Sequence, residues 1–247
     1  NFLCNFLVRK KIKNQFGGNL QAFVSGGGAL DKKIGEFLNA IGLPTLQGYG
    51  LSEASPVVSC NLPDLVKVDT VGPAFRTNKV KIADDGEILV KGENVMLGYW
   101  NNKEETKKVI KNEWLYTGDI GEIDENGYLK ITDRKKDIIV NLGGDNIAPS
   151  KIENILCLNQ LIKQSLVYGD KKNYLVALIV VDKNINKEKI EIILENINKK
   201  LSLIEKIKKF ILINEEFSIN NGMLTPTLKL KRKEIINIYK HQLENLY

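Results

Sequence analysis

The stretch Tyr174–Val181, YLVALIVV, constrains this chain more than any other part of it. It is apolar without interruption and too short to span a bilayer as a helix. A continuous apolar run, in place of an alternating one, is the pattern of a strand buried on both faces. Gln164–Tyr168 reads as a neighbouring strand. Helical segments surround the pair in sequence. Pro149 is placed as the first residue of a helix carrying Ile152, Ile155 and Leu156, Lys187–Leu201 is amphipathic, and Lys231–Tyr247 reads as a final helix. Asn220-Asn221-Gly222 reads as a flexible loop.

The N-terminal part has a related pattern. Residues 9–41 read as a basic helix, a strand at Gln21–Val24, a glycine-rich turn and a second helix. That second helix has Ile34, Phe37, Leu38 and Ile41 at helical spacing, which makes one apolar helical face, and Gly42 stops it. A further strand near Thr45–Tyr49 completes an α/β unit. Residues 79–140 change character. Asp84-Asp85-Gly86 and Asp124-Glu125-Asn126-Gly127 each separate two strand-like runs, as in antiparallel hairpins. The charged run Asp133–Asp137 is the expected domain boundary, giving 1–134 and 135–247, although such a run alone also reads as a solvated turn.

Composition narrows the function classes. Hydrophobic residues make up 43% of 247, enough for a packed core. The formal net charge is +6, from 36 Lys+Arg against 30 Asp+Glu, and the basic residues are dispersed. No nucleic-acid-binding signature accompanies them, so no nucleic-acid partner is expected. The three cysteines, Cys4, Cys60 and Cys157, are widely spaced, which fits a reducing, intracellular compartment, cytoplasmic or organellar. The one histidine, His241, has no GxSxG elbow to serve and reads as a solvated helix residue. The opening stretch Asn1–Val8 is apolar, but basic residues follow it, which is not the order of a signal peptide, and a helix packed on a core is expected there. No run is long enough for a transmembrane segment.

Several short segments could carry chemistry. Ser25-Gly26-Gly27-Gly28 lies between a strand and a helix, where a ligand can approach the backbone and an anion can face a helix N-terminus. Alone it is equally a tight turn. Gln47-Gly48-Tyr49-Gly50-Leu51-Ser52-Glu53 sets an aromatic between two glycines, where its ring is expected to be exposed enough to stack on a base. A hydroxyl and a carboxylate follow, suited to phosphate and Mg²⁺. The plain alternative is a packed Tyr with Glu53 capping a helix. Asp119, in Thr117-Gly118-Asp119, reads as a carboxylate in a glycine-flanked turn that can accept a ribose diol, or as a turn former. Gly143-Gly144 follows a strand and permits unusual backbone angles or close ligand approach. Lys229, in Thr225-Pro226-Thr227-Leu228-Lys229, is a lysine on a loop able to reach a phosphate, or else part of a basic helix start.

Read in order, SGGGAL, QGYGLSE, GEILVKGENVMLGYW, YTGDIG, DRKKDIIVNLGGDNIAP and LTPTLKLKR resemble consecutive core motifs of the acyl-adenylate-forming superfamily, in its long-chain fatty acyl-CoA synthetase branch. The resemblance runs from about Gly17 to the C-terminus. It implies an α/β and α+β architecture: the end of a large N-terminal domain, with mixed sheets, helices and a β-barrel-like part, followed by a small mobile C-terminal α+β domain. It implies a two-step ligase that forms a fatty acyl-AMP from fatty acid and MgATP, then transfers the acyl group to coenzyme A. Tyr49 would stack on adenine, with Gln47, Gly48 and Gly50 alongside it, and Ser52, where relatives usually have Thr, would touch phosphate. Glu53 would bind Mg²⁺. Gly26, Gly27 and Gly28 would border nucleotide and acyl group. Asp119 and Arg134 would hold the ribose hydroxyls. Lys136 matches the hinge, Gly144 the glycine beside the pantetheine tunnel, and Lys229 the catalytic lysine of adenylation.

The LTPTLKLKR phrase, with Leu228 where many relatives have Gly, points to the long-chain branch. There are departures. Lys151 stands where relatives often have Glu. The family's Ser/Thr/Gly-rich phosphate loop does not occur in this sequence. The chain is therefore expected to be a fragment, without pyrophosphate exchange of its own when offered fatty acid and MgATP. Ligation of another carboxylate remains an alternative, as does a noncatalytic module with the same fold, against which stand Glu53, Asp119 and Lys229, all retained. Peripheral membrane contact is compatible with a fatty-acid substrate, though no anchor is visible.

Overall fold

A computed structural model describes residues 9–28 and 30–247. The helix expected over Asn1–Val8 lies outside them, as does Cys4. The chain forms two compact units, residues 1–132 and 133–247, and the division falls at the leading edge of the charged run.

In the first unit, helix α1 (Lys10–Gln15) precedes β1 (Phe23–Ser25), α2 (Lys32–Ala40), β2 (Thr45–Gly50) and β3 (Val57–Cys60). Strand β1 runs parallel to β2, with Ser25 opposite Gln47, and β3 returns antiparallel on the other side of β2. Asp31 starts α2, its carboxylate accepting from the Lys33 and Ile34 N–H groups at 3.0 and 3.1 Å. The apolar face of α2 is half-covered: Leu38 and Ile41 are partly buried. Ile34 and Phe37 are 47% and 60% exposed. The helix also packs closely through Gly35, where a Cβ would stand 2.4 Å from Val68 Cγ1.

A second sheet follows: β4 (Asn78–Ile82), β5 (Glu87–Gly92), then after α3 (Lys103–Val109) the strands β6 (Ile110–Lys111), β7 (Trp114–Ile123) and β8 (Leu129–Arg134). Its order is β4-β5-β7-β6, with β8 also on β7, and the hairpins expected at Asp84–Gly86 and Asp124–Gly127 are present. Ile88, Val90, Leu115 and Leu129 pack with Val58, Ala54 and Tyr49 into one core.

The second unit opens with a small hairpin, β9 (Ile139–Val140) and β10 (Asn146–Ile147), and then α4 (Pro149–Cys157), β11 (Gln164–Tyr168), β12 (Leu175–Val180), α5 (Lys187–Asn198), β13 (Ile207–Ile213), α6 (Arg232–Ile238) and α7 (Lys240–Glu244). Strand β12 is central in the sheet β11-β12-β13, and every residue of it is buried. Alternate side chains leave opposite faces of a strand. Leu175, Ala177 and Ile179 accordingly join Ile152, Leu156, Ile190 and Leu194 of α4 and α5. Val176, Leu178 and Val180 join Ile235, Tyr239 and Leu243 of α6 and α7. Each Val, Leu or Ile side chain among them contributes about 1.5–3 kcal/mol on burial. The expected single helix over Lys231–Tyr247 is divided at Tyr239, whose φ/ψ of −99/13° are not helical.

Two buried carboxylates organise this unit. Asp133 accepts from the Ser150 N–H and hydroxyl at 3.1 and 3.0 Å, supplying the start of α4 with an acceptor that Ala148, its N-cap, lacks. Glu153 accepts from the Val167 N–H at 2.7 Å and is paired with Arg232, tying α4 to β11 and to the first residue of α6. Burial pushes the Glu153 carboxyl up, opposed by the Arg232 guanidinium and the Val167 N–H. Arg232→Met leaves that carboxyl buried without its cation, and is expected to cost about 3–5 kcal/mol in denaturant unfolding of the second unit. Glu153→Gln combined with Arg232→Met is expected to recover much of the loss.

Candidate active site

In the first unit, the parallel pairing of β1 and β2 sets the Gly26–Gly28 turn beside the QGYG segment. A Cβ on Gly26 would lie 3.8 Å from the Gly48 carbonyl oxygen. Gln47 is 6% exposed, and its amide is engaged at both ends, accepting from the Leu30 N–H at 3.1 Å and donating to the Val68 carbonyl. It braces the glycine turn from beneath instead of lining an open surface, because its side chain points to the buried face of β2. At Gly50 the backbone is crowded: a Cβ would stand 1.8 Å from the Pro56 carbonyl oxygen, so no other residue fits.

Tyr49 differs from the expectation of an exposed ring. It is 9% exposed and part of the core, and its hydroxyl donates to Asp119 Oδ2 at 2.7 Å. Asp119 likewise is not in a turn. It sits within β7, beside a bulge: β7 takes the four steps from Tyr116 to Ile120 while β5 takes the two from Leu89 to Glu87. Gly118 makes the bulge possible with φ +72°. The buried Glu87 accepts the Gly118 N–H at 2.8 Å, and the Thr117 hydroxyl accepts the Asp119 N–H at 3.1 Å while donating to the Ile88 carbonyl. These bonds aim the carboxylate at Tyr49. A carboxylate offers about four acceptor positions, so the Tyr49 bond and a diol are chemically compatible.

Ser52 and Glu53 lie in a single 3-10 turn, Ser52–Ala54, immediately after β2, with Ser52 exposed. The Tyr99 hydroxyl donates to Glu53 Oε1 at 2.8 Å, and the Met96 N–H to the Glu53 carbonyl at 2.8 Å. Burial and the Glu53 carboxylate push the Tyr99 hydroxyl up, keeping it a donor. Tyr99 is a member of the candidate site that sequence reasoning passed over. Its only signal was membership of the GENVMLGYW motif. Among the described residues no group of three or more His, Cys, Asp or Glu could hold a metal ion. One carboxylate beside one hydroxyl fits a Mg²⁺ that arrives on nucleotide phosphates, and does not fit a resident metal.

The remaining sequence-predicted residues belong to the second unit and stand on separate elements. Arg134 and Lys136 are exposed, Arg134 at the end of β8 and Lys136 in the turn that follows, where the Asp137 and Ile138 N–H groups donate to the Arg134 carbonyl at 2.9 and 3.1 Å. Gly144 occupies the β9–β10 turn with φ +85°. Lys229 is exposed on a tight turn closed by the Thr225 N–H to the Lys229 carbonyl at 2.8 Å and by the Lys229 N–H to the Thr225 hydroxyl at 3.0 Å. The residue before it, Leu228, has φ +61° and is 69% exposed. This is a left-handed conformation suited to glycine, adopted here by a branched side chain.

The sequence profile of the AMP-binding enzymes matches residues 2–100, and that of the AMP-binding enzyme C-terminal domain matches residues 136–247. The chain is 38% identical to the long-chain-fatty-acid–CoA ligase FadD15 of Mycobacterium bovis, over 98% of this chain and 44% of the relative. It is 33% identical to human long-chain-fatty-acid–CoA ligase 1, over 100% of this chain and 41% of the relative. It thus spans less than half the length of these curated relatives. Among solved structures it is similar to the Bacillus subtilis o-succinylbenzoate coenzyme A synthetase in complex with AMP, with a TM-score of 0.74 and 27% identity over 86% of this chain and 45% of that one. It is also similar to the adenylation domain of a carboxylate reductase from Mycobacterium chelonae, with a TM-score of 0.80 and 25% identity over 95% of this chain and 40% of that one. The mixed α/β architecture is that of these adenylate-forming structures.

The Leu228 conformation has a measurable consequence. Leu228→Gly removes a left-handed Cβ contact of roughly 1–2 kcal/mol and adds about 0.5–1 kcal/mol of chain entropy to the unfolded state. Unfolding experiments are expected to show a net gain between zero and about 1.5 kcal/mol, and a loss for Leu228→Val, because β-branched side chains tolerate positive φ least.

Proposed function

The chain belongs to the AMP-binding enzyme family, and on that premise we propose that it is the C-terminal portion of a long-chain fatty acid–CoA ligase. The observation that carries this reading at the site is the 2.7 Å bond between Tyr49 and Asp119, which joins two motifs 70 residues apart in the first unit. Fatty acid, ATP and CoA are the substrates.

In the first half-reaction a carboxylate oxygen of the fatty acid attacks the α-phosphorus of ATP. A phosphorus–oxygen bond forms, the bond to the bridging oxygen breaks, and pyrophosphate leaves. Tyr49 and the Gly26–Gly28 turn border the adenine and the acyl group, and Asp119 and Arg134 take the ribose hydroxyls. Ser52 faces phosphate. Glu53, oriented by Tyr99, would hold a nucleotide-borne Mg²⁺, whose chemistry is to neutralise phosphate charge. Lys229 presents an ammonium to the charge that builds on the transferred group.

In the second half-reaction the CoA sulfur attacks the acyl carbonyl carbon, its proton is lost, and AMP leaves with the electron pair of the broken carbon–oxygen bond. Lys136 is the hinge about which the second unit turns between the two steps, so that Lys229 serves the first and the Gly144 loop the second. The hinge reading is supported by the boundary between the two compact units, close before it in sequence.

A second reading, a ligase for a different carboxylate, is favoured by the likeness to the o-succinylbenzoate synthetase structure. A chain-length series of acids offered to the full-length protein separates the two: a preference for short or aryl acids overturns the long-chain assignment. Lys229→Ala in the full-length protein is expected to lower pyrophosphate exchange about 10²–10³-fold, the scale of one preorganised charge contact. Transfer from preformed acyl-AMP to CoA should be little affected. Unchanged exchange would remove Lys229 from adenylation.

A further inference from the structure

Glycine loops have no side chains with which to hold their own place. The β9–β10 loop, with Gly143 and Gly144 at its tip, is held in two layers. The inner layer is local. The Asn141 side chain donates to Asp145 Oδ2 and accepts from the Asp145 N–H, both at 2.9 Å, and the Gly144 N–H donates to the Asn141 carbonyl at 3.1 Å. These bonds fix the loop's internal shape. They do not fix where the loop stands on the unit.

The outer layer comes from the connection between β11 and β12. There the Val140 N–H donates to Asp170 Oδ1 at 3.1 Å, the Lys171 N–H to the Val140 carbonyl at 2.8 Å, and the Leu142 N–H to the Lys172 carbonyl at 3.1 Å. Lys171 takes φ +56° to make this alignment. The connection is itself anchored at the end of the chain. The Lys172 ammonium meets Glu244 Oε2 at 2.5 Å and lies 4.7 Å from the centre of the Tyr247 ring, while the Tyr168 hydroxyl donates to the other Glu244 oxygen at 2.7 Å. A continuous set of bonds therefore runs from the C-terminal segment through residues 170–172 to the root of the glycine loop. Asp170 is the member whose side chain grips the loop's entering strand, and it is exposed, outside both cores.

Resting on the ligase reading above, we propose that Asp170 is a positioning residue of the thioester-forming half-reaction. Through the Val140 N–H it sets the height of the Gly143–Gly144 backbone, past which the CoA arm must reach the acyl-adenylate. Asp170 touches no substrate. Its effect is confined to the step that uses the glycine loop, and it should leave the step that uses Lys229 untouched.

Asp170→Ala and Asp170→Asn in the full-length protein test this. Pyrophosphate exchange with a long-chain fatty acid and MgATP measures the first half-reaction. Single-turnover transfer from preformed long-chain acyl-AMP to CoA measures the second. Asp170→Ala is expected to slow transfer about tenfold, the scale of one lost bond to a charged acceptor, and to leave exchange within about twofold. Asp170→Asn retains an oxygen acceptor for the Val140 N–H and is expected to restore most of the transfer rate. Transfer at the unmodified rate in Asp170→Ala overturns the proposal. So does an equal loss in both half-reactions, which would mark simple destabilisation, or a failure of Asp170→Asn to rescue. If the unmodified protein makes acyl-AMP but no acyl-CoA, the ligase reading falls, and this inference with it.

Discussion

The burial of β12 on both faces is the constraint on which the second unit rests. Its alternating side chains feed two separate cores, one under α4 and α5 and the other under α6 and α7. Neither core could form without the strand, and the strand cannot be exposed on either side without stranding several aliphatic groups in water. The candidate site turns of this unit follow from that layering. The Gly144 loop precedes α4, and the Lys229 turn precedes α6, so each projects from the start of a helix that β12 holds in place. The buried Glu153–Arg232 pair links the two helices near those starts.

The first unit is organised on a different principle. Its candidate site depends on backbone irregularity more than on core volume. A bulge in β7 displaces Asp119 from the regular ladder, Gly118 permits the bulge, and the buried Glu87 and Thr117 fix its polar groups. Buried polar groups of this kind are costly unless each has a partner. The pairing of the Tyr49 hydroxyl with Asp119 meets that condition and places an aromatic ring and a carboxylate side by side. At the surface the Tyr99 hydroxyl also donates to Glu53. In both cases a phenol hydroxyl donates to a carboxylate and fixes its direction.

Much of this was legible in the sequence, for identifiable reasons. Hairpins at Asp84–Gly86 and Asp124–Gly127, Pro149 at the start of α4, and the fully buried strand within Tyr174–Val181 each announce themselves through local chemistry. Strand β13 was not legible, because Lys208 and Lys209 interrupt its apolar pattern and its pairing with β12 is long-range and parallel. Ile34 and Phe37 have the spacing of a core face, yet Gly35 makes the close contact. For Tyr49 the sequence leaves open an exposed stacking ring or a packed side chain, and the structure packs and bonds it, since spacing between glycines does not report which side of a strand meets another sheet.

The sequence alone determined the family, the order of its motifs, and the residue types available for adenylate chemistry, because glycines, a loop lysine and isolated carboxylates are local properties of a chain. Only the tertiary structure decided what each group touches. It turned Gln47 into a brace, gave Asp119 a tyrosine partner, put Leu228 in a left-handed conformation beside Lys229, and bound the Gly144 loop to Asp170. These outcomes depend on contacts between segments far apart in sequence, whose geometry is fixed by packing and by the pairing of buried polar groups, and no local pattern encodes either.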